Sequence, residues 1–126
     1  GSYEEQYAFL EAARDHNSST EEQFLKYLFN KGIKLPDEAQ PDVQGLYVRP
    51  DFLYKPNLCI FCDGTPHDNS SVKEDDALKR DTLKEAGYQV LSWYYKDSLD
   101  EFIAGRPDIF KLVKSKLGSS LAARDE

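Results

Sequence analysis

Two short apolar runs carry the acidic residues best placed to do chemistry. They are Arg49-Pro50-Asp51-Phe52-Leu53-Tyr54 and Leu58-Cys59-Ile60-Phe61-Cys62-Asp63-Gly64-Thr65-Pro66-His67-Asp68. Each run has an aspartate at or near one end, so neighbouring strands built from them bring carboxylates together at one edge of a sheet. Carboxylates so placed repel one another unless a cation sits between them, and hard divalent cations such as Mg²⁺ prefer carboxylate, carbonyl and water oxygens. A metal-dependent phosphodiesterase needs this arrangement.

The elements that must position these groups can be read from periodicity. Tyr7, Phe9, Leu10, Ala12 and Ala13 predict a moderately amphipathic helix over 3–14, ended by the polar cluster from Asp15 to Ser19. Ser19-Thr20-Glu21-Glu22 matches a capping box. Phe24, Leu25, Leu28 and Phe29 then form one apolar face of a second helix that stops at Gly32. Pro36 and Pro41 make 33–45 an extended connection. A strand is expected over 46–54, a tight turn at Lys55-Pro56-Asn57, and an antiparallel partner over 58–63, apolar on both faces.

Residues 64–72 read as a surface loop. They lead into a polar-rich helix over 73–86 that turns Ala77, Leu78, Leu83 and Ala86 inward and stops at Gly87. Strand formers mark 88–95, and short helices are expected over 99–104 and 107–117, before a frayed tail over 118–126. A helix joining the second and third strands requires a crossover and a parallel pair. The fold class is therefore α/β, a mixed β-sheet flanked by helices.

A chain of 126 residues fits one domain with a real core. It has no methionine and begins Gly1-Ser2, which reads as a tag scar on a piece excised from a larger protein. No apolar run approaches the ~20 residues of a membrane span and no secretory leader is evident, so a cytoplasmic location and no membrane partner are expected. The formal net charge of −7 argues against gripping nucleic acid by electrostatics alone. Carboxylates gathered at a metal site contribute to that total, and a neighbouring domain of the parent could supply the grip.

Only Cys59 and Cys62 are present, spaced C-x-x-C. Residues three apart point to opposite faces of a strand, and structural zinc needs about four ligands, for which His67 and His16 are the remaining soft candidates. Reduced, core-packed thiols are the expected state.

Glu22, Pro50-Asp51, Phe61-Cys62-Asp63-Gly64 with His67, Asp76-Ala77-Leu78-Lys79-Arg80-Asp81 and Gly87-Tyr88-Gln89-Val90-Leu91 together resemble the PD-(D/E)xK restriction-endonuclease-like superfamily. The branch they resemble is that of the very-short-patch-repair (Vsr-like) endonucleases. Similar domains lie at the carboxyl ends of some bacterial DEAD/DEAH-box helicases, and the lead-in Leu35-Pro36-Asp37-Glu38-Ala39-Gln40 of this chain also resembles that group. The resemblance covers roughly 19–95. It implies a Mg²⁺- or Mn²⁺-dependent endonuclease acting on DNA within a larger DNA-processing protein, with other domains of that protein, such as a helicase, as partners.

By that resemblance Asp51 is the metal-binding aspartate, Asp63 a second metal ligand, and the main-chain carbonyl of Cys62 a third. His67 is the general base, and Glu22 is the helical glutamate supporting the metal or its water. Glu21 is the poorer match, being one residue further from Leu25.

Departures from the family pattern are also visible. The lysine of D/E-x-K would fall at Thr65, and Phe61 stands where some relatives carry an acid. Lys79 or Arg80 could supply a displaced cation. Each residue also has a plainer reading. Asp51 could cap a turn, Asp63-Gly64 could be a turn pair, and His67 a solvated histidine. Glu22 could be a capping-box partner and Asp76–Arg80 a surface i,i+4 pair, with Trp93, Tyr94 and Tyr95 as core and sheet-edge aromatics. Two further function classes therefore stay open: a catalytically degenerate nuclease fold that binds DNA or protein, and a zinc-stabilised adaptor using Cys59, Cys62 and His67.

Overall fold

The register of one helix cap orients much of the molecule. In the computed structural model, which describes residues 2–43, 45–64 and 70–113, helix α2 (Ser19–Lys31) is capped by Ser18, whose hydroxyl accepts from the Glu21 amide at 3.2 Å. The cap thus falls one residue earlier than the sequence pattern suggests. With 3.6 residues per turn, that register lines up Glu21, Phe24, Leu25 and Leu28 as one buried stripe. Gly32 ends the helix at φ 71°, a left-handed conformation that glycine adopts without a Cβ clash.

Before α2 comes α1 (Tyr3–Ala13), capped by Ser2 and tied down where the Tyr3 hydroxyl donates to the carbonyls of Leu28 and Ile33. After Gly32 the chain runs extended and forms β1 (Glu38–Ala39), a two-residue strand inside the stretch expected to be a plain connection. The strand expected over 46–54 is shorter. The regular strand is only β2 (Phe52–Tyr54), and near the start of the expected run Tyr47 takes a left-handed φ of 56°, which breaks the extended geometry there.

A turn at 55–57, with a cis Lys55–Pro56 bond, leads to β3 (Leu58–Asp63), which pairs antiparallel with β2. Helix α3 (Ser70–Glu85) crosses over to β4 (Gln89–Tyr94), which runs parallel to β3. Helix α4 (Leu99–Ala104) follows. The sheet order β1-β2-β3-β4 is mixed, antiparallel on one side of β3 and parallel on the other. The class is α/β, as the crossover required.

Alternation along β3 divides the interior in two. Leu58, Ile60 and Cys62 face the larger core with Leu10, Phe24, Leu25, Leu28, Trp93 and Ile103, while Cys59 faces Val48, Leu53 and Leu83 beneath α3. Phe24 is the hub of the larger core, stacking on Phe52 at 5.5 Å and meeting Phe102 and Phe110 edge-on. Fully burying an aromatic of this size contributes roughly 1.5–3 kcal/mol.

Two expectations fail on α3 and beyond. Ala77, Ala86 and Leu78, the last 66% exposed, look outward, and Leu83 alone of the four predicted residues reaches the core. The helix begins earlier than expected, and Leu83 packs it on the sheet. Residues 107–109 form a turn in place of the helix expected over 107–117, and Leu112 bridges antiparallel to Ile33. The remainder of that segment, and the tail, lie outside the described residues. No helix among the described residues is long and apolar enough to cross a membrane.

Candidate functional site

Because β2 and β3 are antiparallel while β3 and β4 are parallel, the start of β2 and the ends of β3 and β4 share one edge of the sheet. The N-terminus of α2 closes over that edge. Asp51, immediately before β2, anchors there: its amide donates to Ile60 O at 3.0 Å, and its Oδ2 accepts from the Cys62 amide at 2.6 Å. Beside it opens a cleft of about 440 Å³, whose lining includes Ser18, Thr20, Glu21, Asp51, Asp63 and Gly64 together with the basic Arg49, Lys79 and Arg80.

The acidic partner of Asp51 is Glu21. It is 3% exposed, and its Oε1 accepts from the Asp15 amide at 3.0 Å. Gln40 links the pair, its Nε2 lying 3.2 and 3.3 Å from the two Glu21 oxygens and 3.4 Å from Asp51 Oδ1. Gln40 sits at a left-handed φ of 52°, uncommon for a residue with a Cβ, while its amide holds Asp51 O at 2.8 Å.

Burial first, and the neighbouring Glu21 carboxylate second, push the Asp51 carboxyl up to about 8. The Cys62 amide and Gln40 pull against this. Two carboxylates held together out of water either share a proton or share a cation.

The structure places Glu21, and not the expected Glu22, beside Asp51. Glu22 projects from the outer face of α2 and pairs with Lys26 at 2.8 Å, whose ammonium lowers the Glu22 carboxyl. It does not meet Asp51. Sequence reasoning passed over Glu21 although a signal was present, for Glu21 stands three, four and seven residues before Phe24, Leu25 and Leu28 and so belongs to their face. Gln40 and Arg49 were missed as well. Their contribution depends on a left-handed turn and on loop packing, which leave no periodic trace.

Asp63 ends β3 and lines the same cleft as Asp51. The carbonyl of Cys62 lies at this edge too and accepts from the Thr20 hydroxyl at 3.1 Å, leaving one lone pair for another partner. Gly64 permits that approach: a Cβ there would sit 3.0 Å from Thr20 Cγ2. His67 lies outside the described residues, as does the Asp76 side chain. Lys79 and Arg80, offered by the sequence as displaced cations, do reach the cleft.

Among the described residues, no three His, Cys, Asp or Glu side chains close on one point as a metal-binding group. The oxygen donors that come together are the Asp51 and Glu21 carboxylates with the Cys62 carbonyl nearby, a set of the hard kind that Mg²⁺ and Mn²⁺ accept. The thiols do not fit a zinc site. Cys59 and Cys62 are free, buried and in separate cores, and burial raises the Cys59 thiol to about 11. Burial, then the Asp51 and Glu21 charges, push the Cys62 thiol well up, so neither is poised as a thiolate. In comparisons with known proteins, no family model, curated protein or solved structure matches the chain.

Proposed function

We propose that this chain is a divalent-cation-dependent hydrolase of DNA phosphodiesters, working as a domain of a larger DNA-processing protein such as a helicase. The observation that carries the reading is the buried Asp51–Glu21 pair in the lining of a cleft that Arg49, Lys79 and Arg80 also line. Acidic and basic groups around one cleft suit a phosphate together with a divalent cation. The Vsr-like motif order around Pro50-Asp51 and Cys62-Asp63-Gly64 supports the same reading.

Asp51, Glu21 and the Cys62 carbonyl would hold the cation, with Asp63 on the same rim. When bound, it stabilises charge on the phosphate and lowers the pKa of a water. The remaining work falls to the chain. Gln40 donates to both carboxylates and fixes their rotamers, and the Cys62 amide keeps Asp51 Oδ2 turned toward β3. Arg49, Lys79 and Arg80 attract the phosphate oxygens into the cleft. His67, by its place in the motif, takes the proton of the attacking water.

Cleavage of plasmid and oligonucleotide DNA with Mg²⁺ or Mn²⁺, compared between the natural chain and Asp51→Ala, tests the proposal. Products from the first and none from the second are expected. Equal products from both would reject it.

A further inference from the structure

The register of the parallel pair sets Tyr94 directly beside Asp63. Partners in a parallel ladder share a face, so Tyr94 follows Val90 on the α3 side of the sheet, where Cys59 and Phe61 also lie. The next amide, Tyr95 N, donates to Asp63 O at 2.9 Å and fixes the strand end against the site. There the two rings meet edge to face, centroids 4.8 Å apart at 64°, and the Lys96 ammonium lies 5.7 Å from the centre of the Tyr95 ring. Trp93 turns into the core, with its indole N–H on Asp97 O, but Tyr95 is 37% exposed.

An aromatic pair with an adjacent ammonium, one strand away from a candidate phosphate site, offers a nucleobase a face and its phosphate a charge. The charge balance of the chain points the same way. With a net charge of −7, the chain cannot draw its affinity from broad neutralisation of a duplex backbone. Stacking is uncharged chemistry and survives on an acidic protein.

We propose that Tyr94, Tyr95 and Lys96 form a stacking subsite for an unpaired base next to the scissile phosphate, so that the substrate class is DNA with a single-stranded segment at the cut. The inference rests on the phosphodiesterase reading of the Asp51 cleft. A duplex without unpaired bases keeps its ring faces covered and gives Tyr95 nothing to stack on.

The test is fluorescence anisotropy of a labelled single-stranded oligonucleotide and of the matching blunt duplex, with the natural chain, Tyr95→Ala and Tyr95→Phe, over a series of salt concentrations in Ca²⁺. The strand should bind more tightly than the duplex and with a shallow salt slope. Tyr95→Ala should weaken strand binding about tenfold or more, and Tyr95→Phe should restore it. A preference for duplex, or equal strand binding by the natural chain and Tyr95→Ala, overturns the subsite. Cleavage assays with Mg²⁺ or Mn²⁺ separate the two readings. Strand binding through Tyr95 without any cutting keeps the subsite and discards the hydrolase, whereas cutting that is indifferent to Tyr95→Ala does the reverse.

Discussion

Glu21 and Asp51, thirty residues apart in sequence, share the side-chain amide of Gln40 at the junction of α2 and β2. Folding brings together two groups that repel when ionised. Burial raises the cost of that repulsion, so the site stores a preference for a proton or a cation.

That preference fixes the sign of a pH dependence. Unfolded, Asp51 titrates near its ordinary 3.8; folded, near 8. Between these values the folded chain holds a proton that the unfolded chain releases, so this contribution to stability is complete below the lower value and is lost as pH rises toward the upper. The slope is at most about 1.4 kcal/mol per pH unit. Without divalent cations, Asp51→Asn should therefore gain on the natural chain between about pH 5 and about pH 8 in urea denaturation. A difference between the two that does not change with pH would contradict the buried pair.

Adding Mn²⁺ should offset the same repulsion. Calorimetric titration is expected to show binding that Glu21→Gln weakens about tenfold or more, through loss of one charged ligand. Glu22→Gln, on the outer face with Lys26, should leave both Mn²⁺ affinity and melting temperature unchanged. The reverse ranking would restore Glu22 to the site.

Thr20 and Gly64 join α2 to the end of β3. Thr20→Val leaves the Cys62 carbonyl without its donor at a buried position and should cost about 1–3 kcal/mol. Gly64→Ala drives a methyl to within 3.0 Å of the Thr20 side chain, which is itself held by Ser18 and Cys62, and should cost about 1–3 kcal/mol. Chemical denaturation of the two variants measures both.

Phe24→Ala removes the ring that Phe52, Phe102 and Phe110 all touch. A loss of about 3–5 kcal/mol is expected from the transfer and cavity contributions, read from the denaturation midpoint. A loss below about 1 kcal/mol would mean that the larger core does not depend on this hub.

The parts of the fold legible in the sequence were those written in local periodicity. The apolar run 58–63 coincides with β3, the run 99–104 with α4, and the intervening helix announced the parallel crossover. Where tertiary contacts overrode local pattern, reading failed. Residues 46–51 look like strand but are diverted by the left-handed Tyr47, and β1 is too short to leave a pattern. Leu78 is apolar yet exposed, a choice made by how α3 docks.

Asp51 and Asp63 were expected at one edge of the sheet because they adjoin strands whose pairing was legible, and both line the cleft there. Glu22 was preferred to Glu21 for its spacing from Leu25, but a shift of one residue turns a helix by about 100°, and the cap at Ser18 places Glu21 on the buried face beside Asp51. Gln40 could not be found, since its role arises only when its turn is folded.

The acidic hub is encoded in one uninterrupted stretch, from Ser18 to Gly64, whereas the tyrosine pair arrives from beyond the crossover helix. Substitutions in the second stretch therefore leave every hydrogen bond that joins Glu21, Gln40 and Asp51 in place.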